Sequence, residues 1–84
     1  MKTVDIRTGS LQDVKNEIES NVGKQIVIKE FNRQGKKIKE FSGIILNAYA
    51  SLFIVKVQIR ENFLNKSFSY VDFLTNEMTF EILN

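Results

Sequence analysis

The 84-residue sequence contains no cysteine, no histidine, no proline and no tryptophan, and only four glycines. Without cysteine, neither a disulfide nor a thiolate-held metal can staple a small domain. Without histidine, zinc sites built on Cys and His are excluded, and so is every mechanism that uses imidazole as its base. Long apolar runs are missing as well. No stretch approaches the roughly 20 residues needed to span a bilayer, and the N-terminal residues carry no signal-peptide core. These absences lead to the expectation of a soluble, cytoplasmic, single-domain protein with no membrane contact and no cofactor. A chain this short buries roughly 60–65% of its unfolded surface, so its core has to be efficient. The formal net charge of +2 is too small to name a partner.

What is present is organised around residues 42–60. Phe53, Val55, Val57 and Ile59 alternate with Lys56, Gln58 and Arg60, a period of two in β-branched and aromatic residues that marks a half-buried strand. Upstream, residues 1–9 form an N-terminal arm or a short edge strand, and residues 10–84 form the one domain. Leu11, Val14, Ile18 and Val22 fall at helical spacing, with Ser10 as N-cap and Asn21 and Gly23 as the stop. Residues 24–31 read as a first strand, with Ile26 and Ile28 on one face. Asn32 to Gly35 make a hairpin turn into a second strand over residues 36–46. The apolar parity slips near Ser42 and Gly43, as at a bulge or bend. Residues 61–66 read as a loop and 67–70 as a short strand. Residues 71–75 form a single 3₁₀ turn in which Ser69 and Asp72 cap each other. A last strand over 77–82 places Met78, Phe80 and Ile82 inward. One helix and five short strands predict a mainly β fold, a small five-stranded SH3-like barrel with one N-terminal α-helix.

Charge gives the first candidate site. Lys24, Lys29, Arg33, Lys36, Lys37 and Lys39 share residues 24–39 with one acid, Glu30, so the segment carries +5 against −3 for the remainder. Such a hairpin either contacts phosphate or an acidic partner, or keeps the sheet edges soluble. Aromatic side chains give the second. Among seven Phe and two Tyr, the set Phe31, Phe41, Tyr49 and Tyr70 lies at strand ends or on ambiguous parity, where small barrels place contact rings and where rings equally serve to cover the helix or a subunit interface. Leu52 and Ile54 fall on the outward parity of the central strand and suggest a second buried surface, either under the helix or in an oligomer or partner interface. Ser67, Ser69, Tyr70 and Asp72 cluster in sequence, but no base exists to activate a serine, which speaks against an enzyme. The four glycines are isolated and build no phosphate-cradling loop.

Several stretches, taken together, resemble the Veg family of small bacterial proteins known as biofilm-formation stimulators. They are Val22 to Lys24, Ser42 to Ile44, Tyr49 to Phe53 and above all Ser67-Phe68-Ser69-Tyr70-Val71-Asp72-Phe73-Leu74-Thr75. The resemblance covers residues 11–82 and implies an SH3-like barrel behind an N-terminal helix. It also implies a cytoplasmic regulatory protein that binds a protein partner, such as a transcriptional regulator, and so relieves repression of biofilm genes. It brings no catalytic residue, metal or cofactor with it. From the residues alone the alternative stays open: a small Sm-like or SH3-like barrel binding RNA or single-stranded nucleic acid through the basic hairpin. Fold analogy does not choose between them.

Overall fold

Alternating apolar residues commit most of the chain to strands, and the computed structural model describes them in residues 2–3, 11–75 and 77–83. The elements run β1 (Lys2–Thr3), α1 (Leu11–Glu19), β2 (Gln25–Phe31), β3 (Lys37–Ala48), β4 (Leu52–Ile59), β5 (Asn62–Ser69), the 3₁₀ helix η1 (Tyr70–Leu74) and β6 (Met78–Leu83). All strands belong to one antiparallel sheet in the order β1-β6-β2-β3-β4-β5. Among the described residues its two ends are not paired with each other, so the expected barrel is an open one. Ser10, the expected N-cap, and most of the N-terminal arm lie outside the described residues. The arm's Lys2–Thr3 does form the edge strand foreseen as one option, against Ile82 and Glu81 of β6.

One continuous core fills the inner face. Ile26 and Ile28 of β2, Ile45 of β3, Phe53, Val55 and Val57 of β4, Phe68 of β5, and Phe80 and Ile82 of β6 are buried. The helix closes over this face with Val14 and Ile18, and η1 adds Tyr70 and Phe73. Leu11 and Val22, expected on the same helical stripe, are exposed instead. Position 22 lies beyond the helix end, where the chain has already turned. That turn is built as the sequence predicts. The Asn21 amide donates to the Glu17 carbonyl at 2.6 Å, and Gly23 takes φ 91° while its N–H reaches the Ile45 carbonyl at 2.8 Å. This bond ties the helix exit to β3.

Three local expectations need correction. Residues 61–66 are not a loop: β5 starts at Asn62, and β4 turns into it through Arg60 and Glu61 alone, with Arg60 at φ 58°. Arginine is not the residue a turn of this kind advertises, so the sequence concealed it. The bulge foreseen at Ser42–Gly43 falls between Ile45 and Asn47, where β3 slips against β4, and a second shift separates Glu30 and Phe31. Gly43 serves a different purpose, a close backbone approach to β4. Finally, Ser69 makes no side-chain cap on η1; its hydroxyl donates to the Ser51 carbonyl at 3.5 Å. Thr75 secures the far end instead, donating to the Asp72 carbonyl at 3.2 Å and accepting from the Glu77 N–H at 3.2 Å.

Candidate functional site

The basic hairpin is shaped by Asn32. Its side-chain oxygen accepts from the N–H of Gln34 at 3.0 Å and of Lys36 at 2.9 Å, while Gly35 adopts φ 84° to complete the reversal. The structure then divides the six basic residues. Lys24 precedes the start of β2, at the far end from the hairpin tip; seven residues at about 3.3 Å each set it about 23 Å away. Lys29 lies 3.8 Å from Glu81, and Lys37 donates to Glu40 at 2.9 Å. That hydrogen bond and the lysine charge hold the Glu40 carboxyl below the usual carboxylate range. What remains together at the tip is Arg33, Lys36, Lys37 and Lys39, all exposed. Beside them opens a cleft of about 670 Å³ lined in part by Phe31, Arg33, Glu77 and Thr79.

The four candidate aromatics also separate. Phe31 is half-buried against that cleft. Phe41 packs edge-on against Phe68, centroids 5.9 Å apart, and carries the Lys66 ammonium 5.1 Å above its ring. Tyr49 stands out at 53% exposed. Tyr70, expected among the contact rings, is a core residue instead: it is 1% exposed, stacks on Phe53 at 5.6 Å and donates its hydroxyl to the Tyr49 carbonyl at 2.8 Å. Its apolar ring belongs in the core because its one polar atom has a backbone acceptor waiting there.

Burial, and secondarily the Glu19 charge, push the Tyr70 hydroxyl above its ordinary value of 10.0, partly offset by the bond to Tyr49. The folded state thus holds this proton more tightly than the unfolded chain. The stabilisation is complete below pH 10 and is lost as the pH rises through the folded value. Tyr70→Phe is expected to cost about 1 kcal/mol at neutral pH and to remove part of the alkaline loss. Urea unfolding at neutral and alkaline pH checks both; an unchanged alkaline slope in the variant would assign that loss to other groups.

Leu52 and Ile54 prove half-buried, opposite Ser69 and Ser67 of β5. The larger exposed apolar surface lies further along the same hairpin. Ile44 is 46% and Phe63 59% exposed, both on the outer face, on either side of β4. With Gln25, Gly43, Lys56 and Gln58 they line a groove of about 320 Å³, and the Lys56 ammonium sits 4.8 Å over the Phe63 ring. On the other face the hairpin overhangs the core, leaving Ile59 and Leu64 exposed although their parity points inward. Reading 61–66 as a loop hid this surface. The adjacent pair Phe63-Leu64 was the signal that could have found it, since two large apolar neighbours are strand-like.

The fold and this surface define a small helix-plus-sheet protein whose outer face offers an apolar groove beside a basic hairpin. A family model described as biofilm formation stimulator VEG matches residues 9–81, and the chain belongs to that family. The resemblance carried by Ser67 to Thr75 and the shorter stretches is thereby established across nearly the whole sequence. No curated protein matches the chain. Among the described residues, no helix is long and apolar enough to cross a membrane.

Proposed function

We propose that this protein is a non-catalytic, cytoplasmic regulator that stimulates biofilm gene expression by binding a protein partner through the outer groove of β3, β4 and β5. Family membership supports the regulatory role. The observation that carries the binding mode is that exposed Ile44 and Phe63 line one shallow groove, with the Lys56 ammonium over the Phe63 ring. Apolar anchors ringed by polar side chains are what a protein interface needs at its centre. Isolated apolar residues on a surface are ordinary, whereas two large ones lining the same groove are a mark of an interaction site.

The test is complementation in a strain lacking its own family member. The wild-type chain should restore biofilm formation, and Ile44→Asp combined with Phe63→Ser should restore less than about a tenth of it, a loss in keeping with removal of central anchors. Full restoration by the double variant, folded by circular dichroism, would remove the groove from the mechanism. A second reading is favoured by the exposed cluster of Arg33, Lys36, Lys37 and Lys39: contact with nucleic acid at the hairpin tip. Fluorescence anisotropy against RNA, single-stranded and duplex DNA decides it. Binding that weakens steeply with salt and vanishes in Lys36→Glu/Lys37→Glu would support this reading. Titrations that stay flat would leave the cluster as a solubility device.

A further inference from the structure

We infer that the free edge of β5 pairs with β5 of a second copy, antiparallel about a two-fold axis at Asn65, and that the protein is thereby a dimer. The argument begins with where the backbone groups point. β4 and β5 are joined by a two-residue turn, so the flanking pair Ile59–Asn62 is hydrogen-bonded and every second pair after it is too. The bond from the Tyr70 N–H to the Ser51 carbonyl at 3.3 Å continues this alternation beyond the other end of the hairpin. The backbone groups of Phe63, Asn65, Ser67 and Ser69 therefore point away from β4. β5 ends the sheet, so no strand lies beside them among the described residues.

Natural sheets guard such an edge with charge, proline, a bulge or shortness. Of these, β5 has only the charge of Lys66. β5 runs eight residues with an unbroken register against β4 and contains no proline. Its one charged side chain, Lys66, is folded back over the Phe41 and Phe68 rings at 5.1 and 5.8 Å. At the opposite end of the sheet, β1 already occupies part of β6. A head-to-tail arrangement of β5 on β6 would have to displace it, whereas β5 on β5 displaces nothing. The pairing is thus isologous, and closes at two copies.

The same alternation limits the register to pairings in which these outward-pointing residues face one another, and an axis at Lys66 is disfavoured because it would set the two lysines directly opposite each other. With Asn65 on the axis, Asn65 faces Asn65 of the second copy and Phe63 faces its Ser67, giving six backbone hydrogen bonds from three narrow pairs, about the number that alternate pairing provides over five residues. Leu64 then lies beside the aliphatic stem of the opposing Lys66, which covers one of the exposed apolar residues of the overhang. The two Lys66 positions are never directly opposite. On this arrangement the two outer grooves run side by side across the axis, so the inference goes beyond the proposed groove function without requiring it.

Sedimentation equilibrium tests the inference on the full chain. The wild-type protein should double in mass as its concentration is raised into the high micromolar range. Asn65→Lys sets two lysines face to face on the axis and should remain a single chain throughout. Because Asn65 is exposed at the edge, its melting curve should be unaffected at low concentration. Hydrogen exchange adds a reading that needs no variant: the Phe63, Asn65 and Ser67 amides should become at least about tenfold more protected as the dimer forms. A wild-type chain that stays single at every concentration overturns the inference. So does a dimer that survives Asn65→Lys or forms without protecting those amides. Ile44→Asp alone should leave the dimer intact, which separates failure here from failure of the groove.

Discussion

Phe53→Ala leaves a large part of the chain unfolded under conditions where the wild-type protein is fully native. Phe53 is wholly buried at the middle of the core. Its ring lies 5.7 Å from Phe68, 5.6 Å from Tyr70 and 5.7 Å from Phe73, so it joins β4, β5 and η1 in one packed unit. Truncating a buried phenylalanine to alanine costs about 3–5 kcal/mol, part lost transfer energy and part cavity. Small domains have only about 5–10 kcal/mol in total, and this one has no cysteine from which to make a disulfide. Urea denaturation followed by circular dichroism should show the midpoint falling by about half, with the slope retained. Phe53→Leu preserves most of the volume and should cost about 1.5 kcal/mol. Equal losses in the two variants would mean that the four rings do not act as a packed cluster.

The second large effect is expected at a residue with no side chain. Gly43 faces Val57 across the β3–β4 ladder, and a Cβ built on it would collide with the carbonyl of Lys56 and approach the Val55 side chain at 2.9 Å. A carbonyl within a ladder cannot swing aside as a lysine tip can, so the strands must separate. Gly43→Ala should therefore cost about 3 kcal/mol, the upper end of what overpacking exacts, even though alanine normally suits a strand better than glycine does. Gly23 and Gly35 provide the internal comparison. Each has open space where a Cβ would go, and each is held by its positive φ instead, so alanine there should cost about 1 kcal/mol. Thermal unfolding of the three variants ranks them. If Gly43→Ala melts with the other two, the close approach is absent in solution.

The contrast between those glycines indicates why some of this fold could be read from the residues and some could not. Gly23 and Gly35 act locally, beside Asn21 and Asn32, so turn chemistry announces them. Gly43 acts on a strand ten or more residues away, and no local rule distinguishes a bulge from a close approach. The same distinction runs through the helix and sheet. Val14 and Ile18, Ile26 and Ile28, and Phe53, Val55 and Val57 declare their faces by spacing alone, and all are buried. Ile59 and Leu64 follow the inward parity yet stand exposed, because the β4–β5 hairpin extends past the end of the core. Periodicity tells which side a residue is on, and says nothing about whether anything is there to cover it.

The candidate site was legible to a smaller degree. The charge count picks out a hairpin whose tip residues are exposed, but separating Lys24 from Arg33 requires knowing that β2 runs straight between them. Tyr70 looked like a contact ring because its position at a strand end is ambiguous; its hydroxyl partner, the Tyr49 carbonyl, comes from 21 residues earlier and is invisible to spacing. Leu52 and Ile54 lie on the same strand and the same face as Lys56 and Gln58 of the groove. The groove itself lies one and two rungs further on, beside Phe63, in a stretch whose two asparagines read as loop.

The pairing of β2 with β6 has a consequence for the making of the protein. Gln25 meets Leu83 and Glu30 meets Met78, so the contact closes a span of roughly fifty to sixty residues, whereas β2 to β5 are joined in turn by short connections. During synthesis the meander from β2 to β5 leaves the ribosome first, with one flank of β2 unsatisfied and Phe80 and Ile82 still missing from the core. For that interval the nascent chain has two open strand edges, of which only one persists in the finished fold, and it is then that it is most exposed to pairing with a neighbour. A chaperone that recognises extended apolar chain would have its natural binding time within that interval.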